Sequence, residues 1–323
     1  MNFQHGNIVA LTGGVGGAKL VLGLSQILKA TQLTAIVNTG DDFTHLGLPI
    51  SPDLDTLMYT LAGLVNPDTG WGCNDETWSF MQALEQLDAE TWFRIGDRDL
   101  ATHVIRAQLL AEPATLTQVT QALCQRLSIH TRILPMSDTP VRTQVVTDCG
   151  RLDFQHYFVR DRAEPVVKQL EYAGVDNAAP SPAALTALQD PDLAGIVIAP
   201  SNPYLSIDPI LAVPGMRAAL QAATAPIVAV SPIVGGAALK GPAAKIMREL
   251  GIEPSAAAVS RHYGDLLDGF IADEHDRDMV STPDQLNLPV QICDTIMHTL
   301  DDKIRLARAI LDFIQSIDVN RTE

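Results

Sequence analysis

Glycines fill four of the five positions from 13 to 17, directly behind the apolar run Ile8-Val9-Ala10-Leu11 and ahead of a helix-like stretch from Ala18 to Leu28. An apolar run, glycines and then helical spacing read as strand, tight loop, helix. A loop without Cβ atoms lets backbone N–H groups approach phosphate oxygens, and the following helix N-terminus adds partial positive charge. Thr12, Gly13, Gly14, Gly16 and Gly17 are therefore candidate phosphate contacts, with a purely structural strand-to-helix turn as the alternative.

The spelling restricts the loop further. A dinucleotide fingerprint needs G-x-G-x-x-G, and Gly14-Val15-Gly16-Gly17-Ala18-Lys19 puts a lysine where the third glycine belongs. A P-loop needs lysine followed by Ser or Thr, and Lys19 is followed by Leu20. Lys19 instead stands as a candidate phosphate contact in its own right.

The rest of the chain repeats the alternation. Leu33 to Val37 reads as a second strand and Pro52 to Leu64 as a helix. Past Leu193 come strands at Ile196–Ala199, Ile227–Val230 and Val290–Cys293. Helices at Met216–Ala222, Pro242–Leu250 and Lys303–Ile314 lie among and after them. This is the pattern of a parallel sheet covered by helices on both faces. Between the two blocks the texture changes, with strand-like Val141–Thr147 and Leu152–Val159. The expectation is an α/β core of residues 1–60 and 190–323 carrying an inserted mixed α+β cap at 61–189.

Charge and cysteine usage exclude several classes. With 38 acidic against 22 basic residues the chain carries −16 at neutral pH, which argues against nucleic acid or an anionic membrane as partner. The four cysteines are scattered, so neither a disulfide framework nor a zinc site is expected. The opening Met1–Gly6 is polar, and the uncharged stretch Ala218–Leu239 is broken by Pro226, Pro232, Gly235 and Gly236. Both point to a cytoplasmic protein without a membrane span.

Chemistry concentrates at predicted strand ends, where ligands of parallel α/β sheets collect. The second strand runs into Asn38-Thr39-Gly40-Asp41-Asp42, followed by Ser51-Pro52-Asp53-Leu54-Asp55-Thr56. Carboxylates beside a phosphate cradle repel it unless a cation intervenes; Mg²⁺ resolves the conflict, and Asp41 and Asp55 are candidates for metal or substrate contact. Asp53 reads as a helix-start residue. Further on, Arg94 and Arg98 flank a glycine turn and could clamp an anionic group. The helix behind them presents Asp99, His103 and Arg106 on one face. Ser201 and Asn202, in Ala199-Pro200-Ser201-Asn202-Pro203, and the loop Ser231–Gly236 with Lys240 offer hydroxyls, amides and a charge for a nucleotide.

In order along the chain, these blocks resemble the 2-phospho-L-lactate transferases of coenzyme F420 biosynthesis. The matching stretches are Leu11–Lys19, Val37–Asp42, Ser51–Thr56, Gly96–Asp99, Ile133–Asp138, Ala199–Pro203, Ser231–Gly236 and Lys240–Ala243. The resemblance implies a Rossmann-like fold with an inserted cap, a Mg²⁺-dependent reaction and a homodimer. The implied reaction moves a phospholactyl or phosphoenolpyruvyl group from a guanosine diphosphate adduct to the ribityl hydroxyl of the deazaflavin Fo, releasing GMP. By position, Asp41 and Asp55 would hold the metal, with Asp55 also near the Fo hydroxyl. Arg94 and Arg98 would face Fo, and the glycine loop with Ser201-Asn202 would hold diphosphate and nucleoside. Two alternatives remain: a nucleotide-sugar-binding regulatory protein of the gluconeogenesis-factor-like branch, and a nicotinamide oxidoreductase, which Lys19 disfavours.

Overall fold

The computed structural model describes residues 6–280 and 286–322; the opening residues 1–5 lie outside it. Seven parallel strands form the central sheet: β1 (Asn7–Thr12), β2 (Leu33–Val37), β3 (Arg132–Pro135), β4 (Leu193–Ile198), β5 (Ile227–Val230), β6 (Gly269–Asp273) and β7 (Val290–Cys293). Their order is β7-β6-β5-β4-β1-β2-β3. The chain winds from β1 outward to β3 and then returns to begin the other half at β4, so the topological switch point falls between β1 and β4. A ligand of such a sheet binds in the crevice beyond the carboxyl ends of those strands.

Side chains leave each strand alternately toward two cores, which is why the strands read as continuous apolar runs. Ile8 and Ala10 of β1 enter one core with helices α1 (Gly14–Ser25), α2 (Pro52–Leu61), α4 (Leu116–Arg126) and α5 (Leu300–Thr322). Val9 and Leu11 enter the other, with the helical segments of 182–222 and 243–263. Helix α3 (Asp97–Leu110) leans on the first core through Ile105 and Leu109. No helix among the described residues is long and apolar enough to cross a membrane.

The expected insertion at 61–189 is not one unit. Arg132–Pro135 pairs in parallel with β2 from Thr34↔Arg132 to Val37↔Pro135, and so belongs to the central sheet. A four-residue edge strand bounded by loops gives too short an apolar run to be told from a cap element. What projects from the sheet is an antiparallel three-stranded piece, with Arg142–Thr147 between Gly150–Asp153 and Val167–Ala173. The expected strand Leu152–Val159 stops at Asp153, and His156–Arg160 is helical. A small hairpin, Phe43–His45 with Leu48–Ile50, rises beside it from the end of β2.

Candidate functional site

The glycine loop lies at the switch point, and contacts on both sides explain its spelling. Gly14 has φ +63°, a conformation that glycine takes without strain, and starts α1 with only Gly13 between it and the strand end. A Cβ on Gly16 would lie 2.5 Å from the Pro200 carbonyl oxygen, and one on Gly17 would lie 2.6 Å from Ser201 Oγ. These two glycines let α1 press against the loop behind β4. Ser201 locks that approach: its Oγ donates to the Gly13 carbonyl at 2.7 Å and accepts from Gly13 N–H at 3.3 Å. Gly14 N–H donates to Asp53 Oδ1 at 2.7 Å, so a carboxylate already occupies part of the positive end of α1.

Four buried carboxylates, Asp41, Asp42, Asp53 and Asp55, lie beyond the end of β2 and in the first turn of α2, with Asp53 against the loop itself. Asn38 organises two of them: its amide nitrogen donates to Asp41 Oδ1 at 3.1 Å and to Asp53 Oδ2 at 2.9 Å. Burial, then the field of Asp53, pushes the Asp41 carboxyl well above the ordinary carboxylate range. Burial likewise raises Asp53 to about 6 and Asp42 to about 7. Ser51 Oγ donates to Asp42 Oδ2 at 2.9 Å, while Asp42 Oδ1 has no partner among the described residues. Asp53, which reads locally as a helix-start residue, thus stands between the glycine loop and Asp41.

Asp55 is grouped differently. Both of its oxygens accept from the guanidinium of Arg106, with NH1 3.1 Å from Oδ2 and NH2 on Oδ1. Arg106 is 1% exposed and Asp55 5%, so the pair is shut away from water. His103 Nδ1 lies 3.1 Å from the same guanidinium, which can only donate. Its Nε2 faces Asp99 Oδ2 at 3.2 Å, and Asp99 Oδ1 accepts from Tyr59 OH at 2.7 Å. Asp55, Asp99 and His103 bring ligand atoms within 4.8 Å of one another, but Arg106 already supplies the positive charge there. The face of Asp99, His103 and Arg106 visible in the sequence is therefore the support of Asp55.

The two arginines expected at the acceptor make contacts of their own within the chain. Arg94 stacks over the Trp78 ring, 4.1 Å from its centroid, and Arg98 donates to the Asn74 carbonyl and Oδ1 at 3.0 Å each. Both brace the segment before α3 and remain exposed. Lys19 Nζ reaches the Met297 carbonyl at 2.9 Å. Burial, then the nearby charges of Lys240 and Lys303, lower its pKa, as expected of cations gathered without an anion. Lys240 Nζ donates to the Thr69 carbonyl at 2.9 Å, and neighbouring Gly70 lies against Val15 of the glycine loop. Asn202 Oδ1 accepts from Tyr204 and Leu205 N–H, which leaves its Nδ2, like Thr12 Oγ1, buried and unpartnered among the described residues. Loop glycines, a lysine, and spare donors on Thr12 and Asn202 suit a phosphorylated ligand lying across β1 and β4.

The model of a family described as 2-phospho-L-lactate transferase CofD matches residues 8–303. A phosphoenolpyruvate transferase of Kitasatospora aureofaciens is 41% identical over 317 residues, covering 96% of this chain and 98% of that protein. One from Thermobifida fusca is 44% identical over 287 residues, covering 84% and 88%. One from Mycobacterium tuberculosis is 45% identical over 277 residues, covering 80% and 83%. Among solved structures, a upf0052-family protein of Bacillus halodurans superposes with a TM-score of 0.62 over 95% of this chain and 99% of its own, at 16% identity. That likeness concerns the fold.

Proposed function

This chain belongs to the 2-phospho-L-lactate transferase family, and we propose that it moves a phospholactyl or phosphoenolpyruvyl group from a guanosine diphosphate adduct to the ribityl hydroxyl of Fo, releasing GMP. The names of the relatives favour the enolpyruvyl donor. The observation that carries the reading is the Asn38-centred pair of Asp41 and Asp53, set against the Gly13-Gly14 turn at the switch point of the sheet. A diphosphate held by the loop would meet two buried carboxylates at its edge.

Two buried carboxylates sharing one amide, with raised pKa values, form an oxygen-donor set that a hard divalent cation fits. We assign Mg²⁺ to this place, with Asp41 as ligand and Asp53 beside it. Asp55 is the less available ligand, because Arg106 engages both of its oxygens. When bound, the cation would neutralise diphosphate charge and stabilise the leaving oxygen.

The chain's own groups supply binding and alignment. The nucleophile is an alcohol and the leaving group a nucleoside monophosphate, so the reaction needs in-line positioning more than a covalent intermediate. The glycine loop, Lys19, Thr12, Ser201 and Asn202 hold the donor's diphosphate and nucleoside. Asp55, held through both oxygens by Arg106, fixes the first turn of α2 and with it the place of Asp53. Arg94 and Arg98 act at a distance, by bracing the segment before α3. Incubation with Fo, Mg²⁺ and each guanosine donor, followed by mass spectrometry, tests the reading. A phosphodiester-linked deazaflavin is expected; GDP-adduct hydrolysis with Fo left unmodified would contradict it.

A further inference from the structure

The main chain that carries Asp41 is held from behind. The carbonyls of Thr39, Gly40 and Asp41 are consecutive, and each accepts a hydrogen bond from the projecting three-stranded piece or its continuation. Arg142 NH1 donates to Thr39 at 3.3 Å, the Thr143 N–H to Gly40 at 2.7 Å, and Gln155 Nε2 to Asp41 at 3.2 Å. These donors lie 103 to 114 residues further along the chain. Gly40 makes the approach possible, because a Cβ there would lie 2.6 Å from Thr143 Oγ1 and 2.9 Å from Asn38 Oδ1.

Peptide planes are rigid, so the path of a chain is set by the dihedrals between them. A bond to each of three successive carbonyls holds three successive planes, and with them φ and ψ of Gly40 and Asp41. The direction in which Asp41 sends its Cβ follows. Asn38 completes the placement, with Nδ2 on Asp41 Oδ1 and its own Oδ1 accepting from the Gly40 N–H at 2.8 Å. Of the three donors, Gln155 acts nearest the carboxylate, on the carbonyl of Asp41 itself. Its side chain is 5% exposed, and a carbonyl can only accept, which orients the amide with its nitrogen toward Asp41.

We propose that the projecting piece is a clamp on the 39–41 turn, with Gln155 as the positioning residue that sets Asp41 for its cation. The inference rests on the transferase reading, with Mg²⁺ at Asp41, and adds what fixes that carboxylate. Mg²⁺ demands near-ideal octahedral geometry, so its affinity responds to small displacements of a ligand. Gln155 acts through the Asp41 main chain and is not itself a ligand. The piece thereby serves metal binding, although none of the four buried carboxylates belongs to it.

The test is Mn²⁺ binding to the full chain without nucleotide, followed by electron paramagnetic resonance. It compares wild type with Gln155→Met, Gln155→Asn, Gln144→Met and Asp41→Asn. Loss of a group that orients a metal ligand weakens the metal by about ten- to a hundredfold, and Gln155→Met is expected near tenfold. Gln155→Asn keeps the amide but shortens its reach, and should weaken Mn²⁺ as well. Gln144 belongs to the same piece but donates to Asp153 at the surface, so Gln144→Met should bind as wild type does. Hydrogen exchange gives a readout without metal: amides of residues 39–42 should exchange faster in Gln155→Met, and those of α1 should not. Wild-type Mn²⁺ affinity in both Gln155 variants, with Asp41→Asn impaired, would overturn the clamp while the transferase reading stood. Equal losses in Gln155→Met and Gln144→Met would overturn the role of Gln155. Wild-type affinity in Asp41→Asn would overturn the cation's place, and the clamp with it.

Discussion

Arg106 of α3 holds both oxygens of Asp55 of α2 across 51 residues of sequence, and each side chain is almost wholly buried. The pair fastens α2, which carries Asp53 and Asp55, to the segment that also presents His103 and Asp99. Placement of the carboxylate row therefore depends on an ion pair well away from the glycine loop.

Breaking that pair from one side leaves a buried charge uncompensated. Arg106→Met is expected to cost about 3–5 kcal/mol in urea unfolding. Adding Asp55→Asn to it should restore part of the loss, because the stranded carboxylate disappears. Additive losses in the double variant would show that the two side chains do not act as a unit.

Proton linkage gives a second expectation. Asp53 rises from an ordinary 3.8 to about 6 and Asp42 to about 7 on folding. The native state therefore keeps protons that the unfolded chain has released, and this contribution is complete at low pH. It is lost as pH climbs from about 4 through about 7. The melting temperature in chelator-treated buffer should fall across that window. Mg²⁺ should raise it more at about pH 8 than at about pH 5, where protons compete for the same oxygens. A Mg²⁺ shift equal at both values would argue against the carboxylates as its ligands.

Gly17 has no room for a side chain. Its Cβ would overlap Thr12 Oγ1 and lie 2.6 Å from Ser201 Oγ. Gly17→Ala should cost about 1–3 kcal/mol by overpacking and weaken GDP binding, as α1 is pushed off the loop behind β4. Thermal melts and a GDP titration check this; wild-type values in both would mean that the α1 approach is loose.

The sequence made much of this legible wherever the signal was local. The strand–glycine–helix unit, Leu33–Val37, Ile227–Val230 and Val290–Cys293 stand where apolar runs and breakers put them. Asp41 and Asp42 at the end of β2 follow from the strand alone. Asp53 was hidden because the first turn of α2 satisfies the helix-start pattern whether or not it also leans on Gly14, and only tertiary placement decides. Arg106 showed its helix face but not its partner. Asp42, His45 and Thr143 line one cleft between the hairpin at 43–50 and the three-stranded piece, and nothing in their local spacing announces it. Arg132–Pro135 was too short to betray its pairing with β2.

We propose that Asp41, organised by Asn38 beside the glycine loop, serves transfer to Fo. GMP release from the guanosine donor, followed with and without Fo for wild type and Asp41→Asn, tests it most directly. Release is expected to depend on Fo and to fall at least about a hundredfold in Asp41→Asn, with an unchanged circular dichroism spectrum. Release independent of Fo, or near-normal turnover by Asp41→Asn, would contradict it.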